Sequence, residues 1–262
     1  MTAAASPVPG PFAALAPDRG CLFAAWCGLP APAVPAALAR GTGFDVVVLD
    51  MQHGAIDFAA AVEAVPLVAA AGKPAIVRIP VGATATASRL LDAGAAGIIA
   101  PMVNSAADAE AFVAAVKYPP VGERSWGPGG AVAIAGVDGP TYFARANGWT
   151  VALAMVETRE ALDRLDEILA VPGLDGIFIG PSDLSISLSG GDRLDPEGDE
   201  VHAAIDRALA AAKGAGRRAG IYAITGERAA DYRRRGFDLV AIAGDGHYLR
   251  AGAEHCLAAA RG

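Results

Sequence analysis

The sequence predicts a (β/α)8 barrel, because short apolar runs alternate with helical stretches along most of its 262 residues. The runs are apolar throughout, as expected of strands that are buried on both faces of a parallel sheet. They alternate one to one with the helical stretches, which implies parallel βα units. Eight such units in a chain of about 250 residues match the size of a (β/α)8 barrel.

The predicted elements follow one another without a change of composition that would split the chain. The predicted strands are residues 21–28, 44–49, 74–79, 97–103, 151–156, 174–179, 219–223 and 239–243. The predicted helices are residues 33–40, 58–71, 84–93, 106–117, 159–170, 200–215, 227–235 and 249–261. Gly41, Gly72 and Gly94 close the first three helices, since glycine tolerates the left-handed conformation at a helix end.

Several segments fall outside this alternation. Residues 1–20 are expected to form a loose N-terminal arm, and residues 21–262 a single barrel domain. Residues 118–139 are rich in Gly and Pro and are expected to form a long functional loop, followed by a short helix at 140–147. A second loop is expected after the sixth strand, over residues 180–199.

A doubly wound open sheet is the main alternative fold. A nucleotide-binding sheet of that kind would carry a Gly-rich phosphate turn after its first strand. The sequence after Gly28 reads LPAPAVP, which argues against it.

Composition and charge exclude several classes of partner. The chain is 53% hydrophobic and 6% aromatic, with a formal net charge of −7. It has no Lys/Arg-rich block beyond a triplet at 233–235, so neither nucleic acid nor a membrane is expected as a partner. The three cysteines lack metal-site spacing, and no secretory signal or 18-residue apolar run is found. We therefore expect a cytoplasmic protein with reduced thiols.

Polar residues at the ends of the predicted strands are the candidates for function. Catalytic residues of a barrel cluster at the carboxyl ends of its strands. The residues at those positions are Asp50, Gln52, His53, Arg78, Glu157, Asp183, Asp245 and His247.

Glu157 and Asp183 form a candidate metal pair. They follow the fifth and sixth strands, and two adjacent carboxylates repel each other unless they share a cation or a proton. Oxygen ligands favour Mg²⁺ or Mn²⁺ over zinc. The alternative is that Glu157 caps the following helix and Asp183 caps a turn after Pro181.

His53 is the candidate general base, because its ordinary pKa lies near neutrality. Asp50, three residues earlier, is positioned to hold its tautomer and raise its basicity. The alternative is that His53 caps a helix or lines the loop. His202 and His255 fall within helices and are expected to be surface or packing residues.

Arg78 ends a strongly apolar run and needs an anionic partner there. It either pairs with Glu157 or Asp50, or faces a substrate carboxylate or a developing enolate oxygen. The backbone of Gly180-Pro181-Ser182, other than Pro181, is expected to offer N–H groups to a small carboxylate.

These groups together indicate aldol chemistry through a pyruvate enolate, in which a metal polarises a carbonyl, a base moves a proton and an arginine stabilises the enolate. Lys73, Lys117 and Lys213 lie before a strand or in or after helices, and none is at a strand end. A Schiff-base mechanism is therefore disfavoured.

The sequence resembles the HpcH/HpaI aldolases, which are metal-dependent class II pyruvate aldolases. The motifs that carry the resemblance run in order between residues 44 and 240: LDMQHG, VRIP, LLDAGAAGIIAPMV, YPPVGERSWGP, ETREAL and GLDGIFIGPSDLSISLSG. The resemblance implies a (β/α)8 barrel that cleaves a 4-hydroxy-2-oxo acid to pyruvate, or to a related acid such as hydroxypyruvate, and an aldehyde. It also implies Mg²⁺, Mn²⁺ or Co²⁺ with no organic cofactor, and a hexamer built as a trimer of dimers that exchange the last helix.

The resemblance further implies roles for individual residues. His53 would be the acid/base with Asp50 close by, and Arg78 would stabilise the transition state. Glu157 and Asp183 would hold the metal, and the backbone around Ser182 would bind the pyruvate carboxylate. Asp92 matches an aspartate that raises the basicity of the histidine.

Two positions depart from the family pattern. Met155 stands where a substrate-contacting Gln is frequent, and Ser182 stands where Ala is common. The segment after Arg124 is also small and weakly charged, which leaves the aldehyde open. Two rival functions are a lyase for CoA thioesters, which an acidic chain with few lysines disfavours, and a non-catalytic barrel that binds small keto acids.

Overall fold

The computed structural model describes residues 10–15 and 20–262 and contains a closed barrel of eight parallel strands. The strands are joined in chain order from the first to the eighth, and the eighth pairs with the first. This architecture confirms the predicted (β/α)8 barrel. The strands are β1 (Leu22–Cys27), β2 (Val46–Asp50), β3 (Ala75–Arg78), β4 (Gly97–Ala100), β5 (Val151–Val156), β6 (Gly176–Ile179), β7 (Arg218–Ala223) and β8 (Leu239–Ile242).

Twelve α-helices lie among the described residues and surround the barrel. They are α1 (Ala33–Gly41), α2 (Phe58–Ala70), α3 (Thr84–Ala93), α4 (Ala106–Val116), α5 (Gly129–Ala135), α6 (Gly139–Trp149), α7 (Arg159–Asp163), α8 (Leu165–Leu169), α9 (Pro181–Leu188), α10 (Asp199–Gly214), α11 (Gly226–Arg235) and α12 (Asp245–Arg261). Ser105 caps α4 by accepting a hydrogen bond from the Asp108 backbone N–H.

The strands separate two apolar cores, which explains why their sequences are apolar throughout. Side chains that point outward pack against the helices, and side chains that point inward fill the barrel. The inward-pointing set includes Trp26, Val48, Ile76, Met155 and Phe178. Inward-pointing and outward-pointing side chains alternate along each strand. The position of a polar residue at a strand end therefore decides whether its side chain points into the barrel or toward the helices.

Two segments that the sequence predicts as loops contain helices. Residues 118–139 include α5, and residues 180–199 include α9. Two glycines open α5, and the close contact of its backbone with α3 stabilises it: a Cβ at Gly130 would lie 2.7 Å from the carbonyl oxygen of Ala93. The predicted helix at 159–170 is instead two short helices, α7 and α8, that meet at Arg164.

Part of the predicted N-terminal arm packs against the barrel. Gly10–Leu15 forms a short 3-10 helix, in which Phe12 is buried and its ring stacks on Trp149 at 6.2 Å between centroids. This packing differs from the loose arm that the sequence predicts. The rest of that arm, residues 1–9 and 16–19, lies outside the described residues.

Asp245 closes the seam between the last and the first βα unit. Its Oδ2 accepts hydrogen bonds from the backbone N–H groups of Gly28 and Leu29, at 3.0 and 2.9 Å. The carboxylate is buried, and its Oδ1 accepts a hydrogen bond from the backbone N–H of Gly246. Asp245 is therefore a structural residue, although the sequence places it among the candidates at the strand ends.

None of the helices within residues 10–15 and 20–262 has the length and apolar character that crossing a bilayer requires.

Candidate active site

A buried ion pair occupies the carboxyl ends of β2 and β3. Arg78 donates from Nε to Oδ1 of Asp50 at 2.8 Å and from Nη2 to Oδ2 at 2.6 Å, a two-point contact. The two residues are paired in the β2–β3 register, so the strands themselves set this geometry. Of the alternatives that the sequence left open for Arg78, the structure contains the ion pair with Asp50.

Trp26 completes this cluster from β1. Its indole Nε1 donates to Oδ2 of Asp50 at 3.2 Å, and the Arg78 guanidinium lies 4.8 Å from the ring centroid. Burial by itself raises the pKa of Asp50, but the hydrogen bonds and charge of Arg78 outweigh it and hold that pKa below its ordinary value. Asp50 is therefore an anion, and Arg78 is held in one orientation by a carboxylate and an aromatic face.

His53 lies in the bend that follows β2, with its side chain exposed. Oδ1 of Asp50 accepts the backbone N–H groups of Gln52 and His53, at 3.0 and 3.3 Å. Asp50 thus shapes the backbone that carries His53. The sequence predicts that Asp50 holds the imidazole tautomer, but the contact that the structure contains is with the backbone.

Glu157 follows β5 and is buried at the same rim. Its Oε1 accepts the backbone N–H of Met102 at 2.9 Å. Burial raises the pKa of Glu157 to about 7, opposed by the Met102 hydrogen bond and increased further by the charge of Asp183. The capping alternative for Glu157 is wrong, because the hydroxyl of Thr158 caps α7 instead.

Asp183 lies in the first turn of α9, close enough to Glu157 to raise its pKa. Gly180 precedes the helix and makes this approach possible. A Cβ at Gly180 would lie 2.8 Å from Oε2 of Glu157 and 3.1 Å from Cε of Met155. The structure therefore brings together the two carboxylates that the sequence singles out, with Met155 packed beneath them.

Asp92 has a different environment from the one that the resemblance suggests. It is near the end of α3, about 12 Å along the helix from its first residue. Its Oδ1 accepts a 2.7 Å hydrogen bond from Nη2 of Arg124, whose side chain is fully buried. Helix α3 begins on the side of the rim and runs away from it, so Asp92 lies toward the amino ends of the strands, apart from His53 of its own chain.

A groove of about 650 Å³ lies at the opposite end of the barrel. It is lined by Lys117, a buried side chain that donates to the carbonyl oxygens of Asn147 and Thr150 and pairs with Asp175 at 2.7 Å. Burial lowers the pKa of Lys117, and Asp175 opposes this effect. All three N–H groups of the ammonium are used, so Lys117 stabilises the fold and is not available to a carbonyl substrate.

Sequence reasoning missed two residues of the site. Met102 holds a left-handed backbone conformation, with φ of 56°, and this conformation presents its N–H to Glu157. No sequence signal marks it. Trp26 lies in the first apolar run, one residue before the end of β1. Its indole N–H could have marked it as a hydrogen-bond donor at the strand end as well as a core residue.

Comparisons with known proteins agree with this architecture. The model of the family described as HpcH/HpaI aldolase/citrate lyase matches residues 26–251. The chain is 42% identical to a hydroxypyruvate/pyruvate aldolase from Rhizorhabdus wittichii, over 91% of this chain and 94% of that protein. It is 36% identical to a 4-hydroxy-2-oxo-heptane-1,7-dioate aldolase from Salmonella dublin, over 87% and 86% of the two chains.

Solved structures give the same result. The crystal structure of an HpcH/HpaI aldolase/citrate lyase family protein from Burkholderia cenocepacia superposes with a TM-score of 0.82. The two chains are 30% identical, and the match covers 93% of this chain and 95% of the other. The family match, the two relatives and the shared barrel lead to one conclusion: this chain belongs to the HpcH/HpaI aldolase/citrate lyase family.

Proposed function

We propose that this chain is a divalent-metal-dependent aldolase that reversibly cleaves a 4-hydroxy-2-oxo acid to pyruvate or hydroxypyruvate and an aldehyde. The observation that carries the proposal is the pair Glu157 and Asp183, which adjoins the buried Arg78–Asp50 ion pair at one rim of a parallel barrel. The names of the relatives, which include hydroxypyruvate/pyruvate aldolase, support the same chemistry.

The two carboxylates fit a divalent cation. Burial is the main cause of the raised pKa of Glu157, and the charge of Asp183 adds to it; a bound cation would offset both effects. No cluster of three or more His, Cys, Asp or Glu ligands exists in the described part of the chain. Glu157 and Asp183 would hold the cation, since Mg²⁺, Mn²⁺ and Co²⁺ accept oxygen ligands of this kind. The bound cation would withdraw electron density from the 2-oxo group.

The start of α9 supplies a site for the substrate carboxylate. Pro181 has no N–H, but the backbone N–H groups of Ser182 and Asp183 lie in the first turn of the helix, where no intrahelical partner exists. A helix N-terminus favours an anion through both its free N–H groups and its dipole. Gly180 and Met155 line the site beside this helix start, and the methionine contributes van der Waals contact but no hydrogen bond.

His53 moves the proton. In the cleavage direction it removes the proton of the hydroxyl on the fourth carbon of the substrate, the bond between the third and fourth carbons breaks, and the aldehyde forms. The electron pair of that bond passes to the 2-oxo acid as its enolate. Return of the proton to the third carbon converts the enolate to the keto form of the 2-oxo acid, which keeps its carboxylate charge, so His53 is unchanged after one cycle.

Arg78 stabilises the enolate. Its Nε and Nη2 are committed to Asp50, while Nη1 has no hydrogen bond to any residue in the described ranges. A guanidinium that is already fixed by Asp50 needs no reorganisation when the negative charge develops. The role of Asp50 is thus to position Arg78 and the backbone of His53.

A homo-oligomer is part of the proposal, as a hexamer in which subunits exchange α12. Residues 249–262 are all exposed, including Leu249 and Leu257. A helix that carries apolar side chains and contacts little of its own chain favours burial against a second copy. Asp92 is accordingly assigned to raise the basicity of His53 in a neighbouring subunit.

A cytoplasmic location is proposed from the thiols. Cys21, Cys27 and Cys256 are unpaired, which is typical of proteins in a reducing compartment.

The proposal is tested by pyruvate release from 4-hydroxy-2-oxo acids of varied tail length and charge, with EDTA and after addition of Mg²⁺, Mn²⁺ or Co²⁺. Activity should vanish with EDTA and return with one of the cations. Glu157→Gln should abolish the response to the cation, whereas Glu160→Gln, at an exposed carboxylate three residues later, should preserve it. Turnover that survives complete chelation would remove the metal from the proposal, and no turnover with any cation would favour the non-catalytic barrel.

A further inference from the structure

Tyr222 is an inward-facing residue at the carboxyl end of β7 that none of the steps above uses. It packs against the core that fills the barrel, and its ring meets Trp26 edge to face with 5.5 Å between centroids. The same tryptophan carries Arg78 on its face and donates to Asp50. Tyr222 therefore lies beside the cluster that faces the substrate.

The register of the strands places Tyr222 level with the metal pair. Val156 is paired with Ile179 on β6, and Ile179 with Ile221 on β7. One residue further along each strand, Glu157, Gly180 and Tyr222 stand side by side. Adjacent strands are about 4.8 Å apart, so the backbone of Tyr222 is about 10 Å from that of Glu157, and a phenol side chain spans most of that gap.

The hydroxyl of Tyr222 is available to a ligand. It forms no hydrogen bond with any of the described residues. It is also not fully buried, unlike the hydroxyls of Tyr118 and Tyr142. The ring is only partly buried, so the hydroxyl opens into the mouth of the barrel. Burial raises the pKa of Tyr222, and Arg78 and Asp50 then act on it in opposite directions. The phenol is protonated at neutral pH and can donate.

We propose that the Tyr222 hydroxyl hydrogen-bonds to the hydroxyl on the third carbon of a 3-hydroxy-2-oxo acid, so that the site favours hydroxypyruvate over pyruvate as the nucleophile. This inference rests on the proposed function. It adds the residue that distinguishes the two acids, which differ only in that hydroxyl.

The depth of Tyr222 in the barrel favours the nucleophile over the aldehyde. The 2-oxo acid is anchored by its carboxylate at the start of α9 and by the carboxylate pair, both of which lie level with or beside Tyr222. The aldehyde reacts from the open side, where His53 is exposed. A site that offers a hydroxyl partner discriminates against an analogue that lacks the hydroxyl, because its own polar group is then left unpaired.

The test compares exchange of the third-carbon protons of hydroxypyruvate and pyruvate in D₂O, followed by NMR with the metal-loaded protein and no aldehyde. Tyr222→Phe removes one oxygen atom and keeps the ring on Trp26. Loss of one such hydrogen bond corresponds to about a tenfold effect. We therefore expect the hydroxypyruvate-to-pyruvate ratio of exchange rate over KM to fall about tenfold in Tyr222→Phe. Calorimetric dissociation constants for the two acids should show the same change in ratio.

Controls and the remaining outcomes separate the two claims. Tyr232→Phe removes the same atom from a tyrosine on α11, outside the barrel, and should leave the ratio as in the wild type. A ratio that is equal in the wild type and Tyr222→Phe would overturn this inference while exchange itself upholds the proposed function. An effect that instead follows a hydroxyl on the acceptor aldehyde would also overturn it. Absence of exchange with either acid in the wild type would refute the proposed function, and this inference with it.

Discussion

Glu157 should make the metal-free protein less stable as the pH rises. Its pKa is about 7 in the folded protein and has an ordinary value of 4.5. Below pH 4.5 the group is protonated in both the folded and the unfolded chain. As the pH rises toward 7 the unfolded chain loses the proton first, so the stability that the neutral carboxyl contributes is lost progressively and is gone above the folded pKa. At about 1.4 kcal/mol per pH unit, the loss amounts to about 3 kcal/mol.

Glu157→Gln removes this titration and keeps an acceptor for the Met102 N–H. We expect urea denaturation in EDTA to show that the free energy of unfolding of the variant, relative to the wild type, rises by about 3 kcal/mol between about pH 4.5 and pH 8. Glu160→Gln, whose carboxylate is exposed, controls for the loss of one negative charge. A difference between Glu157→Gln and the wild type that stays constant across this pH range would refute the reasoning.

Three further predictions concern the rest of the site. Asp50→Asn leaves the buried charge of Arg78 unpaired and should lower the free energy of unfolding by about 3–5 kcal/mol, measured in urea at neutral pH; a change below about 1 kcal/mol would contradict this. Gly180→Ala places a methyl group 2.8 Å from Oε2 of Glu157 and should weaken metal binding about 10–100-fold by calorimetry, so an unchanged affinity would show that the carboxylate can move. His53→Ala should reduce turnover about 10²–10⁴-fold with metal content unchanged, and wild-type turnover would exclude His53 from proton transfer.

Matched controls exist for the last two variants. Gly246→Ala adds the same methyl group where no atom lies within 4 Å, and it should leave metal affinity unaltered. His202→Ala removes a histidine from α10, on the outside of the barrel, and should leave turnover close to that of the wild type.

The sequence was sufficient to predict all eight strands but not all of the helices. Buried strands are apolar runs that contrast with their surroundings, and β5 was predicted at its observed bounds. Helices α5 and α9 were missed because Gly, Pro and Ser open them, residues that are typical of loops. Their stability comes from packing against elements far away in sequence, which no local pattern reports.

The same limit applies to the candidate site. The positions of Glu157 and Asp183 followed from the strand ends, since a parallel barrel brings all of those ends to one rim. The direction of a side chain was harder to predict. Arg78 was left with several possible partners, and only the β2–β3 register pairs it with Asp50. The contact of Met102 requires a left-handed backbone angle, and the place of Tyr222 in the site follows from the register between β5, β6 and β7. Neither can be read from the sequence alone.

Asp245 has a consequence for the order in which the fold is completed. The hydrogen bond between its carboxylate and the Gly28 backbone joins residues 217 positions apart. During synthesis, the loop after the first strand therefore waits for its partner until almost the whole chain has been made. Contacts between residues so far apart in sequence form late, because closing a longer loop has a larger entropic cost. A chain truncated before Asp245 keeps β8 and its pairing with β1 but lacks the acceptor for the N–H groups of Gly28 and Leu29, so we expect its barrel to close less stably than that of the full chain.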